Sequence, residues 1–132
     1  MTDEERKEIV LYRIDRAKNT LKEVDIHVTN GLWNTAINRM YYACFYAVSS
    51  LLLYHKINAQ SHAGVRKMFG LHFIKSQVIP NELGKFYSNI FTLRHMDDYD
   101  DFIEFNEEDV KTNLELAKVL IFKIEEMVNN EE

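Results

Sequence analysis

The sequence predicts an all-α protein, an up-and-down bundle of four to five helices. Two segments near the ends of the chain carry apolar residues at steps of four and three, the spacing of one helix face. A segment between them is apolar nearly all round, as is typical of the central helix of a bundle. One proline and four glycines in 132 residues are too few for a turn-rich β fold.

The first and last helices each carry one apolar stripe. The first stripe contains Val10, Ile14, Ala17, Leu21, Val24 and Val28, and the last contains Val110, Leu114, Ala117, Ile121, Ile124 and Val128. Acidic residues at positions 3–5 and 107–109 fill the first turns, where negative charge favours the helix dipole. Asn30-Gly31 is expected to end the first helix, and Asn106 to cap the last.

The segment from Leu32 to Lys56 is predicted to be the central helix. A polar line runs along it at helical spacing, formed by Thr35, Arg39, Tyr42, Tyr46 and Ser49. The mid-helix Arg39 argues against a membrane span, because a guanidinium is costly in lipid. An arginine on an otherwise buried helix needs a partner anion or a water-filled groove.

Two further helices are predicted between the central and last helices. Ser61 caps a short one from His62 to about Ile74, and Pro80 opens another at about Asn81. The second has an apolar stripe of Leu83, Phe86, Ile90 and Leu93, with Arg94 directly after it. We expect residues 97–106 to hold the turn into the last helix.

Length and composition favour one domain, spanning residues 1–132, in the cytoplasm. Cys44 is the single cysteine, so no disulfide forms within the chain and a reducing compartment is expected. No basic segment followed by an apolar one opens the chain, so no secretory signal is expected. Cys44 also lies mid-helix among apolar residues, where a thiol usually packs and does not react.

The charge is unevenly distributed along the chain. The formal net charge of −5 discourages nucleic-acid binding, which depends on Lys and Arg. Residues 54–96, however, contain six Lys or Arg and one acid, whereas the rest contains 10 basic and 20 acidic residues. The basic middle segment is consistent with a phosphate-binding surface, and equally with solvated helix faces of different sign.

Motifs for most common catalytic chemistries are absent from the sequence. It has no phosphate-binding glycine loop, no GxSxG, no HExxH and no paired CxxC. His55, His62 and His72 lack the i, i+3 or i, i+4 spacing of a helical metal site, so neither a metal nor a cofactor is expected.

What remains is an arginine-centred site. Arg94 and Arg39 are candidates to face one groove and hold phosphate, with His95 as acid or base. RNA can be cleaved through its own 2′-hydroxyl, so such a site needs only proton transfer and a cation. In the alternative, Arg39 pairs with Asp97 or Asp98 and locks two helices, while Arg94 bonds backbone carbonyls at its helix end.

Three stretches together resemble the HEPN family of small helical proteins. They are NRMYYACFYAVSSLL (38–52), SHAGVRKMFGLHFI (61–74) and FTLRHMDDYDDF (91–102), followed by an amphipathic helix. The resemblance covers most of the chain and implies a helical bundle that pairs into a homodimer. Many HEPN proteins are ribonucleases of toxin–antitoxin or defence systems, and others accompany a nucleotidyltransferase encoded beside them.

The resemblance also implies a site in which this chain departs from the family. The HEPN catalytic motif is an arginine, a polar residue and a later histidine, and two copies meet across the dimer interface. Arg94 matches the arginine and His95 the polar position. The later histidine should fall at Tyr99, Asp100 or Asp101, and none of these is histidine. A tyrosine at this place is a poor substitute base, because the unperturbed pKa of a phenol is about 10.

Three hypotheses for function follow. The first is a nucleotide- or RNA-facing dimeric partner of a nucleotidyltransferase in a toxin–antitoxin-like system, with Tyr99 as a candidate acceptor of a nucleotidyl group. Its candidate binding residues are Arg39, Arg66, Lys67 and Arg94. The second is an active metal-independent ribonuclease that uses Arg94 and His95. The third is a non-catalytic helical interaction module.

Overall fold

The computed structural model describes residues 1–129 and confirms the all-α prediction. Five α-helices lie in this range: α1 (Asp3–Thr29), α2 (Trp33–Tyr54), α3 (His62–Phe69), α4 (Asn81–Tyr99) and α5 (Glu107–Asn129). A π-helical segment, Gly70–Ile74, continues α3, and no strand occurs in residues 1–129. None of these helices has an apolar stretch long enough to cross a membrane.

Helix α2 is the centre of the bundle, as its composition predicts. It packs against α1, α3, α4 and α5, and one side of every turn is buried. Cys44 is fully buried within it, and burial raises the pKa of the thiol well above its usual value. A protonated, inaccessible thiol is a packing group, which agrees with the sequence interpretation.

The outer helices α1 and α5 bury the predicted stripes. All six stripe residues of α5 are buried, as are four of those of α1, with Leu21 and Val28 half-buried. Asn106 and Asp109 cap α5 reciprocally, each side chain accepting the other's backbone N–H at 2.9 Å. Gly31 takes φ +68° just after α1, the left-handed conformation that the Asn30-Gly31 pair predicts.

The short third helix has the predicted ends but a different last turn. Ser61 caps it, with its Oγ accepting a hydrogen bond from Gly64 N at 2.9 Å. From Gly70 the hydrogen bonds change to the π-helical pattern, which ends at Ile74. Here α4 approaches so closely that a Cβ on Gly84 would lie 2.8 Å from Ile74 Cγ2. The π-helical turn therefore packs directly on the first half of α4.

Helix α4 extends further than predicted. It ends at Tyr99, so Asp97 and Asp98 are helical, and the turn into α5 occupies residues 100–106. Carboxylates at a helix C-terminus oppose the helix dipole, but both are compensated. Asp98 accepts from Arg94 at 2.8 Å, one helical turn back, and Asp97 accepts from Asn34 of α2 at 2.9 Å. These bonds stabilise the extra turn.

Candidate functional site

Arg94 lies on the inner side of α4 against aromatic rings. Only 8% of the residue is exposed. Its guanidinium carbon is 4.8 Å from the centre of the Tyr41 ring and 5.9 Å from those of Tyr42 and Phe91. We call these three rings the aromatic group. A guanidinium over ring faces gains cation–π attraction, which is larger when the charge is shielded from water.

Asp98 is the acidic partner of Arg94. Arg94 Nη1 donates to Asp98 Oδ2 at 2.8 Å, while Arg94 Nε is buried without a hydrogen-bond partner among residues 1–129. Burial acts to lower the pKa of Arg94, but the hydrogen bond to Asp98 and the nearby Tyr41 and Tyr42 outweigh it, so this pKa is raised. Arg94 is thus a permanent cation with unused donor capacity.

His62 joins this site from the first position of α3. Its Nδ1 is 2.7 Å from the Tyr41 hydroxyl, and its ring packs on Phe45 with 4.4 Å between ring centres. Burial lowers the pKa of His62, the charge of Arg94 lowers it further, and Asp98 acts in the opposite direction. Burial also raises the pKa of Tyr41 to about 12. At neutral pH the Tyr41–His62 pair is therefore uncharged.

The two residues of the recognised Arg-His pair point in different directions. His95 is exposed, and its ring packs on that of Tyr99 with 4.5 Å between centres. Tyr99 is itself 74% exposed at the end of α4. The structure thus brings His95 and Tyr99 together on the outer side of α4, while Arg94 lies inside.

Two of the other candidate binding residues reach the aromatic group. The guanidinium carbon of Arg39 is 5.7 Å from the Tyr42 ring centre, and that of Arg66 is 4.4 Å from the Phe91 ring centre. Arg39, Arg66 and Arg94 therefore surround one set of rings, although they come from α2, α3 and α4. Lys67 is exposed on α3.

The alternative prediction for Arg39 and Arg94 is wrong, because both arginines bind other partners than the ones it named. Arg39 Nε donates to Glu23 of α1 at 3.3 Å, and not to Asp97 or Asp98. Arg94 binds a carboxylate, and not the backbone carbonyls of its helix end. The physical reason is that Asp98 is already one turn from Arg94 on the same helix, whereas Arg39 lies on the side of α2 that meets α1.

Asn34 at the start of α2 holds the segment that follows the site. Its Nδ2 donates to Asp97 Oδ1 at 2.9 Å and to the Ile103 carbonyl at 3.0 Å, and its Oδ1 accepts from Phe105 N at 2.9 Å. One amide thereby ties the end of α4 and the 100–106 turn to α2. Sequence reasoning missed this role, and it considered His62 only as the first residue of α3 and as a metal ligand, which it rejected.

The donor set suits an anion. Guanidinium groups hold phosphate bidentately, and a neutral imidazole beside them can accept or return a proton. Within residues 1–129, no group of three or more His, Cys, Asp or Glu side chains is placed to hold a metal ion. The site thus combines guanidinium donors with a neutral imidazole beside one set of aromatic rings.

The lowered pKa of His62 predicts a pH-dependent contribution to stability. The unfolded chain takes up the histidine proton near pH 6.5, and the folded chain only at lower pH. This contribution is therefore fully present above about pH 6.5 and is lost as the pH falls towards the folded pKa. Between pH 7 and pH 5, His62→Gln should lose less stability than the unmodified protein in urea denaturation. Equal losses in both proteins would contradict the assignment.

Comparisons with known proteins agree with the sequence resemblance. A family model for the HEPN domain matches residues 10–127. A UPF0332 protein of Thermotoga maritima is 36% identical over 126 residues, which cover 96% of each chain. A Methanocaldococcus jannaschii protein named "Putative toxin MJ0142" is 32% identical over 110 residues, covering 83% of this chain and 75% of the relative. "Putative toxin MJ0605" of the same organism is 37% identical over 86 residues, covering 65% and 64%.

Proposed function

The chain belongs to the HEPN family, and from this premise we propose that it is the toxin-like partner of a nucleotidyltransferase, a homodimer that binds nucleotide or RNA phosphate at Arg94. Two relatives that carry toxin names support the toxin-like role. The observation that carries the binding proposal is the buried Arg94 guanidinium with its unpaired Nε.

The surroundings of Arg94 favour a phosphate ligand. A guanidinium shielded from water binds an oxyanion more strongly than an exposed one, because the local dielectric is low. Arg39 and Arg66 add positive charge around the same aromatic group. Asp98, whose side chain is 35% exposed, is the one acid that pairs with Arg94 among residues 1–129, and it can turn towards water when a phosphate takes its place. The phosphate would then accept the Nη1 hydrogen bond that the carboxylate gives up.

The same end of the bundle offers a surface for a second copy. Phe102 is 92% exposed in the turn after α4, close in sequence to the exposed Tyr99. An exposed phenylalanine in the turn and an exposed tyrosine at the helix end would supply apolar surface to such a contact. The family resemblance implies that two copies meet at the arginine motif, and we propose that this contact lies at the end of α4.

The proposed nucleotidyltransferase partner would act on Tyr99. The Tyr99 ring projects into solvent at the end of α4, so its hydroxyl is accessible to a second protein. In such a transfer the phenol oxygen forms a bond to the α-phosphorus of a nucleoside triphosphate, and pyrophosphate leaves. The added nucleotide would lie beside His95 and cover the exposed side of the motif.

Binding of a labelled single-stranded RNA, followed by fluorescence anisotropy, tests the proposal. Arg94→Ala should weaken binding by roughly tenfold to a hundredfold, since a charged hydrogen-bond pair contributes about 1.5–3 kcal/mol. Arg94→Lys should recover part of the affinity, because it restores charge without the bidentate geometry. Lys111→Ala, which removes an exposed α5 cation paired with Glu107, is the matched control and should bind normally. Equal binding by Arg94→Ala and the unmodified protein, with both folded by circular dichroism, would refute the proposal.

A further inference from the structure

We propose that His62 is the proton-transfer residue of the Arg94 site, so that the protein cleaves single-stranded RNA through its 2′-hydroxyl. The inference rests on the proposed binding of RNA phosphate at Arg94. His62 belongs to α3 and not to the α4 motif, yet its Nδ1 lies 2.7 Å from the hydroxyl of Tyr41. The Tyr41 ring in turn carries the Arg94 guanidinium, 4.8 Å from its centre.

The His62 ring is held in a defined orientation. Tyr41 engages Nδ1, the Phe45 ring packs at a tilt with 4.4 Å between ring centres, and Tyr42 packs edge-on at 5.8 Å between centres. The second nitrogen, Nε2, has no hydrogen-bond partner among residues 1–129. A half-buried imidazole with one nitrogen fixed and the other free has the arrangement that a general base requires.

The balance of the groups around His62 favours the neutral imidazole, although Asp98 acts in the opposite direction. Arg94 and Asp98 approach from α4, Tyr41 and Tyr42 from α2, and Arg66 lies one turn further along α3. Burial and the Arg94 charge both disfavour the protonated imidazole. Tyr41 remains a phenol at neutral pH, and its oxygen can accept the Nδ1 proton. In that tautomer the lone pair of Nε2 is free to take a proton.

The reaction is an intramolecular transesterification. His62 Nε2 takes the proton of a ribose 2′-hydroxyl, and the 2′-oxygen forms a bond to the adjacent phosphorus. The bond from phosphorus to the 5′-oxygen breaks, and this oxygen takes a proton from water. The products are a 2′,3′-cyclic phosphate and a 5′-hydroxyl end. Arg94 stabilises the negative charge that develops on the phosphoryl oxygens.

We choose His62 over His95 because of where each side chain points and how near it lies to the ring that carries Arg94. His95 is next to Arg94 in sequence, but it is exposed and packs on Tyr99 outside the bundle. His62 is distant in sequence, but it contacts the ring on which Arg94 lies. Tyr41 is the positioning residue of this arrangement, because it selects which ring nitrogen faces the substrate.

Cleavage and binding by the full-length protein are to be measured on one 5′-labelled single-stranded RNA and on the DNA of the same sequence. The RNA should be cut to cyclic-phosphate ends, and the DNA should stay intact because it lacks the 2′-hydroxyl. His62→Gln should lower the cleavage rate at least a hundredfold, the usual scale of general base catalysis, while RNA affinity changes by less than about threefold. His72→Gln, an exposed histidine of the π-helical segment, is the matched control and should cleave normally.

The pH dependence of the cleavage rate distinguishes a general base from a residue that only supports the fold, because the pKa of a general base sets the pH at which the rate rises. The cleavage rate should rise with pH and level off below neutrality, because the pKa of His62 is lowered. Tyr41→Phe should shift this profile, since the hydrogen bond to Nδ1 is lost. Binding without cleavage by the unmodified protein would overturn the role of His62 and leave Arg94 binding intact, whereas absence of RNA binding would refute both. Loss of cleavage in His95→Gln but not in His62→Gln would assign the base to His95.

Discussion

Replacing Asn34 with alanine is expected to lower the free energy of unfolding by about 3 kcal/mol, since each hydrogen bond lost in a half-buried site costs about 1 kcal/mol. The Asn34 amide makes three such bonds, to Asp97, to the Ile103 carbonyl and to the Phe105 N–H. Two of the groups left without a partner are the Ile103 carbonyl and the Phe105 N–H of the 100–106 turn, where no helix or strand supplies a replacement hydrogen bond. Urea denaturation measures the loss.

Asn38→Ala is the matched control for this prediction. Asn38 lies one turn further along α2 and is also half-buried, but its side chain makes no hydrogen bond within residues 1–129. Its replacement should change the free energy of unfolding by less than about 0.5 kcal/mol. A similar loss in Asn34→Ala and Asn38→Ala would show that the 100–106 turn is held by other contacts.

The helices could be predicted because their signals are local. The apolar stripe of α5 from Val110 to Val128 lies on one face, whatever that face packs against. The cap formed by Asn106 and Asp109 involves residues three apart in sequence. Spacing and capping are properties of the chain itself, so the bundle follows from them.

The partners of charged side chains could not be predicted, because they depend on how each helix is rotated within the bundle. Arg39 shares the polar line of α2 with Tyr42, and from that line it could turn towards α1 or towards α4. The structure turns it to Glu23 of α1. The length of α4 was underestimated for a related reason, since its last turn is stabilised by Asn34 from another helix.

The contacts within the candidate site could not be predicted from the sequence either. Arg94 and His95 are neighbours in sequence, but successive residues of a helix point about 100° apart. Packing buries Arg94 against Tyr41 and leaves His95 outside. The contact between Tyr41 and His62 joins two helices, and no spacing in the sequence encodes it. A linear motif therefore places Arg94 next to His95 in sequence, but it does not show that His62 packs on the same ring as Arg94.

Replacing Asp98 with asparagine is expected to strengthen RNA binding by about tenfold, although it weakens the fold. The Asp98 carboxylate is 2.8 Å from Arg94 Nη1, where it competes with phosphate for the same donor. Removing its charge weakens that competition, because the neutral asparagine oxygen still accepts a hydrogen bond but less strongly than a carboxylate. The free energy of unfolding should fall by about 1 kcal/mol, a modest loss because the carboxylate is partly exposed to water. Anisotropy titration and urea denaturation measure the two effects separately.

The opposite signs of these effects distinguish a phosphate site from a structural ion pair. If Arg94 and Asp98 only stabilise an interaction module, Asp98→Asn lowers stability without a gain in RNA affinity. Asp101→Asn removes the same charge from the exposed 100–106 turn, so it reports the general effect of one less acid near the RNA. That gain should stay below about twofold, because Asp101 makes no ion pair with Arg94 in residues 1–129. An Asp98→Asn protein that gains no more than Asp101→Asn would mean that RNA phosphate does not bind at Arg94.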